Sequence, residues 1–506
     1  MPDGLAEKVI SLCVRRRLVY PTSEIYESVA GFFDYGPLGV ELKRNLESSW
    51  WNYFVRQRDD VVGMDGALIT PPSMWKASGH LDAFNDPLIA CGKCKRRFRL
   101  DHLLEQELQL SVEGLTPDKM QELIKENKIR CPQCKGGLKE TQPFNLMFRT
   151  QVGVLKDEPN EAVLRPETAQ LIFADFKLVQ QAARKRLPFG IAQIGKAFRN
   201  EIAPRNFVFR AREFNQMELE FFIHPERMDD CELPANWKSL AVTVLAAETQ
   251  IHKGEGSLLS FNELWDRKMV KTKWHVYWMA ACWNFLLELG LDPAHLRLRQ
   301  HVSAELSHYS SETWDVEYRY PWGWKELLGV ANRGDFDLKQ HQEHSKKDLS
   351  FFVDETKQKV IPHVIEPSWG LERLFLTVLM DAYREKTENN ETKVTLALSP
   401  RLAPVQVSVF PLMKKDGLAE KGQGVFRNLM PCFSAVYDDG GSVGRRYARA
   451  DEVGTPYAVT IDYDTLTDDT VTLRDRDSTQ QKRVSLAELP EKLNRLLLGS
   501  VRFSDL

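Results

Sequence analysis

The chain has 506 residues, of which 43% are hydrophobic and 27% are charged. This composition is typical of a globular protein and excludes a disordered or fibrous one. A chain of this length is expected to form about two to four domains. Its 68 Lys and Arg residues nearly balance 71 Asp and Glu residues, so a nucleic-acid partner has to be inferred from local sites and not from the overall charge.

The most apolar windows, residues 280–291 and 371–382, are interrupted by charged or amide side chains. A membrane-spanning helix needs about 18 uninterrupted apolar residues, so no membrane segment is expected. The N-terminus carries Asp3 and Glu7 and lacks the basic stretch and apolar core of a signal peptide. We therefore expect a cytoplasmic protein.

Apolar residues recur about every four positions from Pro37 to Phe54, which predicts a long amphipathic helix. Residues 61–70 follow as a strand or extended edge that ends at Pro71 and Pro72. Residues 165–179 predict another helix. The runs 190–198 and 214–222 are expected to form an antiparallel hairpin around an arginine-rich loop, because the second run alternates in polarity.

Residues 224–300 are predicted to be mostly helical. One stripe of this region is assigned to the core: Trp274, Tyr277, Trp278, Ala281 and Phe285. Strands are expected at 314–320 and 324–332, and residues 363–367 are expected to be extended before an amphipathic helix that runs to Tyr383. The charged stretch 384–393 is the best candidate for a linker. Beyond it, strand-like runs that alternate with helices predict a small α/β domain from about residue 398.

Four of the eight cysteines form two Cys-x-x-Cys pairs, at Cys91 and Cys94 and at Cys131 and Cys134. Two such pairs supply the four thiolates of a structural zinc site, and the stretch between them looks mostly helical, with a break near Gly114 and Pro117. The alternative is four reduced cysteines without metal, which a single pair would favour. The remaining cysteines are assigned to buried positions: Cys13, Cys231, Cys282 and Cys432.

Three further segments carry side chains suited to a nucleotide. Arg199 could bind phosphate oxygens bidentately, as arginine does in many proteins. Phe214 could stack on adenine, since an aromatic ring offers a flat face to a base. The helix that begins after Gly370 favours anions at its N-terminus. Taken singly, such residues are more often a surface ion pair or a core aromatic. Because the chain has neither a P-loop nor a Rossmann glycine motif, an ATP site on an antiparallel sheet is expected.

The long helix with its strand to Pro71-Pro72, then FRNE (198–201), then GLER (370–373) resemble motifs 1, 2 and 3 of the class II aminoacyl-tRNA synthetases. Longer segments are similar to the dimeric glycyl-tRNA synthetase family: FDYGPLG (33–39), LRPETAQ (164–170), GKAFRNE (195–201), REF (212–214) and EPSWG (366–370). The resemblance covers nearly the whole chain. It implies a ligase that activates glycine with ATP and transfers it to the 3' end of tRNA(Gly).

The implied fold class is α/β (α+β), with a class II antiparallel-sheet catalytic domain. Residues 1–88, with motif 1, and residues 143–392, with motifs 2 and 3, would form that domain. Residues 89–142 would be a zinc-ribbon-like insertion. Residues 393–506 would be an anticodon-binding domain, and the family pairs two copies through motif 1. Trp50, Trp51 and Phe54 support such a homodimer, because they give the helix more apolar width than one core face needs.

The resemblance implies a set of ATP-binding residues: Arg199, Asn200, Glu201, Phe209, Arg210, Phe214, Glu326, Leu327, Gly370 and Arg373. Within it, Arg199, Glu201 and Arg373 are the implied catalytic residues. Arg199 would hold the α-phosphate and Arg373 would reach the γ-phosphate. Glu326 would lie near the metal-bound phosphates, so the implied cofactors are ATP with Mg²⁺ and a structural Zn²⁺.

Glycine recognition is implied for a second set: Arg99, Glu167, Phe214, Glu218, Glu366 and Ser368. Three carboxylates would complement the substrate ammonium, and a filled wall would exclude a methyl group. Arg99 stands apart, because the family usually carries Ala where this chain has Leu100. His80 resembles a family position near the site and is interpreted as a structural, hydrogen-bonding histidine.

The C-terminal segment offers a basic stretch for RNA at Arg445, Arg446 and Arg449, with Tyr447 able to stack on a base. The alternative is a solvated basic turn. Two other functions are weighed as well: a non-catalytic nucleic-acid-binding relative, and a class II enzyme for another small amino acid. The phosphate arginines argue against the first, and residues 366–368 argue against the second.

Overall fold

The structure is a computed structural model that describes residues 4–108, 112, 115–153, 160–252, 254–307, 309–388 and 391–506. It combines α-helices with several β-sheets, as the sequence predicts. Among the helices of these residues, none has both the length and the apolar character that crossing a bilayer requires.

The α-helices of the described residues are α1 (Leu5–Arg15), α2 (Pro37–Trp51), α3 (Pro72–Ala77), α4 (His80–Ala83), α5 (Leu100–Leu108), α6 (Pro117–Glu126), α7 (Ala169–Ala183), α8 (Ala235–Lys238), α9 (Ala247–Ile251), α10 (Phe261–Asp266), α11 (Lys273–Glu288), α12 (Phe336–Ser345), α13 (Leu371–Ala382), α14 (Leu418–Leu429), α15 (Val443–Glu452), α16 (Tyr463–Asp468) and α17 (Leu489–Leu497). The predicted long helix is confirmed as α2, which continues as a π-helical turn over Asn52–Arg56.

The strands of the same residues are β1 (Val19–Pro21), β2 (Phe33–Tyr35), β3 (Val61–Gly63), β4 (Ile69–Thr70), β5 (Asn85–Ala90), β6 (Arg97–Arg99), β7 (Gln142–Asn145), β8 (Phe148–Val152), β9 (Asn160–Leu164), β10 (Phe189–Phe198), β11 (Glu213–Ile223), β12 (Ala241–Leu245), β13 (Ser257–Ser260), β14 (Leu296–Gln300), β15 (Glu312–Tyr320), β16 (Gly323–Gly334), β17 (Phe351–Val353), β18 (Gln358–Val360), β19 (His363–Gly370), β20 (Tyr383–Glu388), β21 (Glu391–Leu396), β22 (Val407–Pro411), β23 (Ala435–Tyr437), β24 (Tyr457–Ile461), β25 (Thr470–Asp475) and β26 (Gln481–Ser485).

The largest sheet has nine strands in the order β13-β12-β14-β15-β16-β19-β11-β10-β3. Its centre is antiparallel, and the predicted hairpin is confirmed as β10 and β11, with Ala197 opposite Phe214. On one face of β11, Phe221 packs against Trp274 and Trp278 of α11, at ring-centroid distances of 4.8 and 4.9 Å. The aromatic stripe of α11 therefore belongs to the core, as predicted. The opposite face holds the site described below.

The expected excess apolar width of α2 is not present, because Trp50 and Phe54 are 0% and 1% exposed within their own chain. Phe54 contacts Trp278 of α11 and Trp369 of β19, which belong to the same hydrophobic core. The size of these side chains is thus explained by the chain's own core. It does not indicate a surface for a second copy.

The region 224–300 is less helical than expected, since it supplies β12, β13 and β14 to one end of the large sheet. Val242, Val244 and Leu298 are buried there. These strands are only four or five residues long, too short to show a clear alternation of polarity in the sequence.

The expected linker is not found in the part of 384–393 that the structure describes, residues 384–388 and 391–393. These residues lie in β20 and β21, in which Arg384 pairs with Thr395 and Glu385 with Val394. Leu396 is fully buried in the core of the large-sheet domain, and Lys8 of α1 forms an ion pair with Glu385 at 2.6 Å. The charged composition of this segment indicated a linker, but its β-branched residues favour strand pairing.

The segment around the four paired cysteines has a small core of its own. A three-stranded sheet in the order β6-β5-β7 packs with α5 and α6, and Leu100, Leu104 and Ile124 are among its buried residues. The two helices confirm the helical pattern predicted between the cysteine pairs. The expected break lies at Pro117, where α6 begins, and Gly114 lies outside the described residues.

The C-terminal α/β domain is confirmed, with a five-stranded sheet in the order β23-β22-β24-β25-β26 and a separate core. Its arginine cluster is not a flexible stretch, because it lies on α15. Arg446 is 3% exposed and donates hydrogen bonds to the carbonyl oxygens of Pro411 and Gly441. Arg446 is therefore not placed to meet RNA. Tyr447 is half-buried, its hydroxyl contacts that of Thr460, and the Arg474 guanidinium lies over its ring at 4.7 Å.

We expect Arg446→Ala to destabilise the C-terminal domain by about 1 to 3 kcal/mol, because the buried Pro411 carbonyl oxygen and the partly buried Gly441 carbonyl oxygen lose a charged donor. Arg445→Ala, one residue earlier on the exposed side of α15, is the matched control and should change stability by less than about 0.5 kcal/mol. Hydrogen exchange of the β22 and β24 amides measures both. Equal protection in the two variants would contradict a structural role for Arg446.

Candidate active site

A cavity of about 560 Å³ opens on the face of the large sheet formed by β11, β15, β16 and β19, beside the loop that follows β10. Strand register places its residues, since Ser368 of β19 lies between Glu218 of β11 and Gly329 of β16. Most of the predicted site residues line this cavity: Arg199, Glu201, Phe209, Arg210, Phe214, Glu326, Gly370 and Arg373 on one side, and Glu167, Glu218, Glu366 and Ser368 on the other.

Arg199 follows directly after β10 at one wall of the cavity. Its Nε donates to the carbonyl oxygen of Pro166 at 3.1 Å, and its guanidinium lies 5.3 Å from the ring centroids of both Phe84 and Phe214. Arg210 in the loop before β11 is fixed by Glu201, with a 2.7 Å contact from Nε to the carboxylate. These two arginines bring fixed positive charge to the wall, which suits phosphate oxygens.

A third arginine, Arg373 near the start of α13, lines the same side of the cavity. Its Nη1 lies 3.0 Å from the carboxylate of Glu326, and its guanidinium lies over the ring of Phe209 at 4.9 Å. Glu326 shares the cavity wall with Asp315, which accepts from His301 at 2.7 Å. Oxygen ligands of this kind suit a hard cation such as Mg²⁺.

The other wall consists of three buried carboxylates. Glu218 accepts hydrogen bonds from the Thr168 backbone N–H at 2.9 Å and from the Ser368 hydroxyl at 2.7 Å. Glu167 lies 3.1 Å from Nε2 of His80. Glu366 accepts from Nη1 of Arg333 at 2.9 and 3.0 Å. Each carboxylate is thus oriented by its own partner, and together they can complement a small cation.

Burial and neighbouring charge set the ionisation of these acids. Burial raises the pKa of Glu366 to about 7, against the opposing effect of Arg333. Burial would also raise the pKa of Glu167, but His80 and Arg333 hold it below its ordinary value. His80 therefore has the hydrogen-bonding role that the sequence suggested, and its Nδ1 is within 2.8 Å of the Ser78 hydroxyl.

The structure adds residues that the sequence interpretation missed. Arg333 is 2% exposed and connects Glu366 to Asp337 through hydrogen bonds of 2.7 to 3.0 Å. Gln170 in turn donates to Asp337 and Glu167. The sequence signal for this pair is an Arg and an Asp four residues apart, but such pairs are common on helix surfaces. Arg333 is buried because it lies near the end of β16 in the large sheet.

A further missed residue is Glu220, which lies on the same face of β11 as Glu218 and is fully buried. Neither of its carboxylate oxygens has a hydrogen-bond partner in the described part of the chain. Burial, reinforced by Glu366, raises its pKa well above the ordinary value. Its surroundings therefore favour the protonated form of Glu220, because an unpaired buried charge is far more costly than a protonated carboxyl.

Three of the predicted residues lie outside the cavity lining. Leu327 is fully buried in the core, and the backbone N–H of Asn200 donates to the carbonyl oxygen of Leu146. Arg99 binds Asp86 and Asp101, at 2.5 and 2.8 Å. Its nearest carboxylate in the cavity is Glu201, at 4.0 Å, which belongs to the arginine wall and not to the three carboxylates.

Gly195, the first residue of GKAFRNE, leaves no room for a side chain. A Cβ atom on Gly195 would come within 2.1 Å of the Arg165 guanidinium. That guanidinium donates to the carbonyl oxygens of Lys196 and Gly66, both at 2.7 Å. Arg165 thereby ties the segment before α7 to β10, which fixes the position of Glu167 beside the hairpin.

Cys91, Cys94, Cys131 and Cys134 converge, with one sulfur from each lying within 4.8 Å of the others. The Sγ distances of 3.5 Å for Cys91–Cys134 and 3.7 Å for Cys94–Cys131 exclude disulfides and approach the edge of about 3.8 Å that a tetrahedral zinc site with 2.3 Å bonds requires. Backbone N–H groups of Cys94 and Lys93 lower the pKa of the Cys91 thiol to about 6. The cluster therefore fits a metal ion.

The other four cysteines are free thiols as well. Cys13 and Cys282 are buried, as predicted, and Cys231 is half-buried. The prediction for Cys432 is wrong, because this residue is exposed at the end of α14. Its apolar sequence neighbours gave no indication of this, since a turn at the surface follows the helix.

Two family models match the chain. One, described as the core domain of class II tRNA synthetases (G, H, P, S and T), matches residues 148–242, and one described as an anticodon binding domain matches residues 406–496. The antiparallel sheet and the arginine wall fit the first match. Fold and site together define a class II aminoacyl-tRNA synthetase.

Curated relatives narrow this class. The glycine–tRNA ligase of Caldanaerobacter subterraneus subsp. tengcongensis is 45% identical over 497 residues, which cover 97% of this chain and 98% of the relative. Those of Acetivibrio thermocellus and Clostridium beijerinckii are 44% identical over 490 and 491 residues, or 96% of this chain and of each relative. The chain belongs to the glycine–tRNA ligase family, which confirms the resemblance found in its motifs.

We expect Glu220→Gln to change how stability depends on pH. In the unaltered chain the folded state keeps a proton that the unfolded state loses above its carboxyl pKa of about 4.3, so the free energy of unfolding falls as pH rises from there toward the raised folded pKa. The variant cannot bind this proton, so its free energy of unfolding should increase relative to that of the unaltered chain from pH 5 to pH 8. Urea unfolding across this range tests it. Glu161→Gln, at an exposed ion pair, is the control, and parallel pH profiles for all three proteins would show that Glu220 is ionised.

Proposed function

We propose that this chain is a glycine–tRNA ligase that activates glycine with ATP to glycyl-adenylate and transfers the glycyl group to the 3' end of tRNA(Gly). The observation that carries the proposal is the meeting of three arginines and three buried carboxylates in one cavity, in a chain that matches glycine–tRNA ligases over nearly its whole length. A non-catalytic relative would have no use for either set.

The arginine wall supports the ATP half of the site. We assign the α-phosphate to Arg199, the γ-phosphate to Arg373, and a place beside the nucleotide to Glu201 and Arg210. Phe214 is half-buried next to Arg199, so its free face is suited to stack on adenine. Asn200 and Leu327 lie outside the cavity lining, so we propose that they contact ATP through their backbone atoms.

The carboxylate wall supports the glycine half. Glycine offers an ammonium and a carboxylate, and Glu167, Glu218 and Glu366 supply the negative complement to its ammonium, with Ser368 beside them. The three glutamates are 2% to 8% exposed and hydrogen-bonded. A substrate side chain would have to displace these groups, which costs more than the 1 to 3 kcal/mol or so that a methyl group gains by contact.

The chemistry proposed for the first step is an in-line attack of the glycine carboxylate on the α-phosphorus of ATP. The bond from carboxylate oxygen to phosphorus forms while the bond to the pyrophosphate oxygen breaks, and no covalent enzyme intermediate is needed. The three carboxylates orient the ammonium, and Arg199 and Arg373 neutralise charge that grows on the phosphates. In the second step, the terminal tRNA hydroxyl attacks the carbonyl carbon and AMP leaves.

Mg²⁺ accompanies ATP in class II synthetases. Glu326, with Asp315 behind it, would hold the ion, which would neutralise charge on the pyrophosphate when bound. Both residues line the cavity on the side of Arg373, so the donor set fits a hard cation beside the phosphates.

We expect glycine-dependent exchange between ATP and pyrophosphate, and Arg199→Ala and Arg373→Ala should each reduce it by about a hundredfold or more, because each removes a charged phosphate partner in a water-poor site. Arg186→Ala is the control: this arginine is exposed and distant from the cavity, and its exchange rate should stay within twofold. Equal exchange with serine or alanine as substrate would contradict the proposal.

We propose that Cys91, Cys94, Cys131 and Cys134 bind one structural Zn²⁺, since four thiolates leave no open position for a substrate. Elemental analysis of protein purified without chelator should give one zinc per chain. Cys131→Ser should lower this value, while Cys432→Ser, at an exposed cysteine outside the cluster, should leave it unchanged. Substoichiometric zinc after zinc supplementation would contradict the proposal.

We propose that residues 1–88 and 143–392 form the catalytic domain, residues 89–142 the insertion, and residues 393–506 the anticodon-binding domain that holds tRNA(Gly). Burial of Leu396, Leu398 and Leu402 in the catalytic core favours moving the last boundary to about residue 404. We also propose a homodimer through the motif 1 region, by resemblance to the dimeric family, and a cytoplasmic location, where tRNA, ATP and glycine meet.

A further inference from the structure

Asp86 is an acidic residue at the root of the cysteine-bearing insertion, by which we mean the part of β5 just before residue 89. It lies in β5 and is 8% exposed. Nη1 of Arg99, in β6 of the same small sheet, lies 2.5 Å from its carboxylate. Nη2 of Arg210, in the loop between β10 and β11, lies 3.8 Å from the same carboxylate. Asp86 therefore touches two arginines from different parts of the chain.

Glu201 faces the same two arginines from the side of the cavity. Its carboxylate lies 2.7 Å from Nε of Arg210 and 4.0 Å from Nη1 of Arg99. Two positive and two negative groups thus alternate in a small four-membered cluster: Asp86, Arg99, Arg210 and Glu201. Nε2 of His102 lies 3.4 Å from Nη1 of Arg210, so a side chain of α5 also reaches the loop.

The members of this cluster differ in their access to substrate. Glu201 and Arg210 line the cavity, whereas Asp86 and Arg99 do not. The two arginines repel each other in a half-buried environment, and an intervening carboxylate offsets this repulsion. Removing the Asp86 charge would leave Glu201 as the one carboxylate of the cluster beside Arg210, while Arg99 would keep Asp101. The loop that carries Arg210 would lose its charged contact with β5 and keep the weaker one with His102.

We propose that Asp86 is a positioning residue for ATP, which acts through Arg210 and ties the loop between β10 and β11 to the root of the insertion. This inference rests on the proposed function, because it takes the wall formed by Glu201 and Arg210 as the place where ATP binds. It assigns Arg99 to the same support and not to glycine.

The test measures KM for ATP and for glycine separately in the exchange reaction. Asp86→Asn should raise KM for ATP about tenfold and leave KM for glycine within twofold, while Asp86→Glu, which keeps the charge, should stay within threefold of the unaltered chain for both substrates. Asp82→Asn, at an exposed aspartate close by, makes the same charge change without touching an arginine of the cluster and should alter neither constant.

A double-mutant cycle with Arg210→Ala separates positioning from general damage. If Asp86 acts through Arg210, the double variant should bind ATP no more weakly than Arg210→Ala alone. Additive losses, an equal rise in both KM values, or an unchanged KM for ATP in Asp86→Asn would each overturn the inference. An unaltered chain without glycine-dependent exchange would instead overturn the proposed function, so the two failures are distinguishable.

Discussion

The site depends on the placement of several carboxylates in a buried region that holds little positive charge of its own. Glu167, Glu218 and Glu366 are held there by directed hydrogen bonds, and Arg333 shares its charge between Glu366 and Asp337. Burying carboxylates is costly unless a partner offsets the lost hydration. On the proposal that glycine binds here, its ammonium would supply positive charge that the protein's own side chains provide only in part, and the site would favour this substrate.

The large antiparallel sheet makes this arrangement rigid. Its strands bring Glu218, Ser368 and Gly329 side by side from β11, β19 and β16, although these residues are far apart along the chain. On the opposite face, Phe221, Trp369 and Trp278 fill a dense aromatic core. Polar residues on one face and large apolar residues on the other fix the register, because a slip by one position would exchange the two faces.

The smaller modules are attached to this centre through charged contacts at its edges. The insertion meets the arginine wall through Asp86 and Arg99. The C-terminal domain meets α1 through Arg15 and Arg16, which both pair with Glu452. Each module has a separate apolar core.

The sequence alone determined the elements with strong periodicity and the motifs with distinctive chemistry. The helix α2, the hairpin of β10 and β11, the cysteine pairs and the residues Arg199, Glu218, Glu366 and Arg373 were all predictable, because local pattern or motif identity specifies them. Short strands such as β12 and the charged hairpin of β20 and β21 were not, since their pairing depends on distant partners. Only the tertiary structure placed Arg333 and Glu220 behind the carboxylate wall, Arg446 inside its domain and Trp50 in the chain's own core. Burial and charge pairing are decided by residues that are far apart in sequence, so no local pattern contains them.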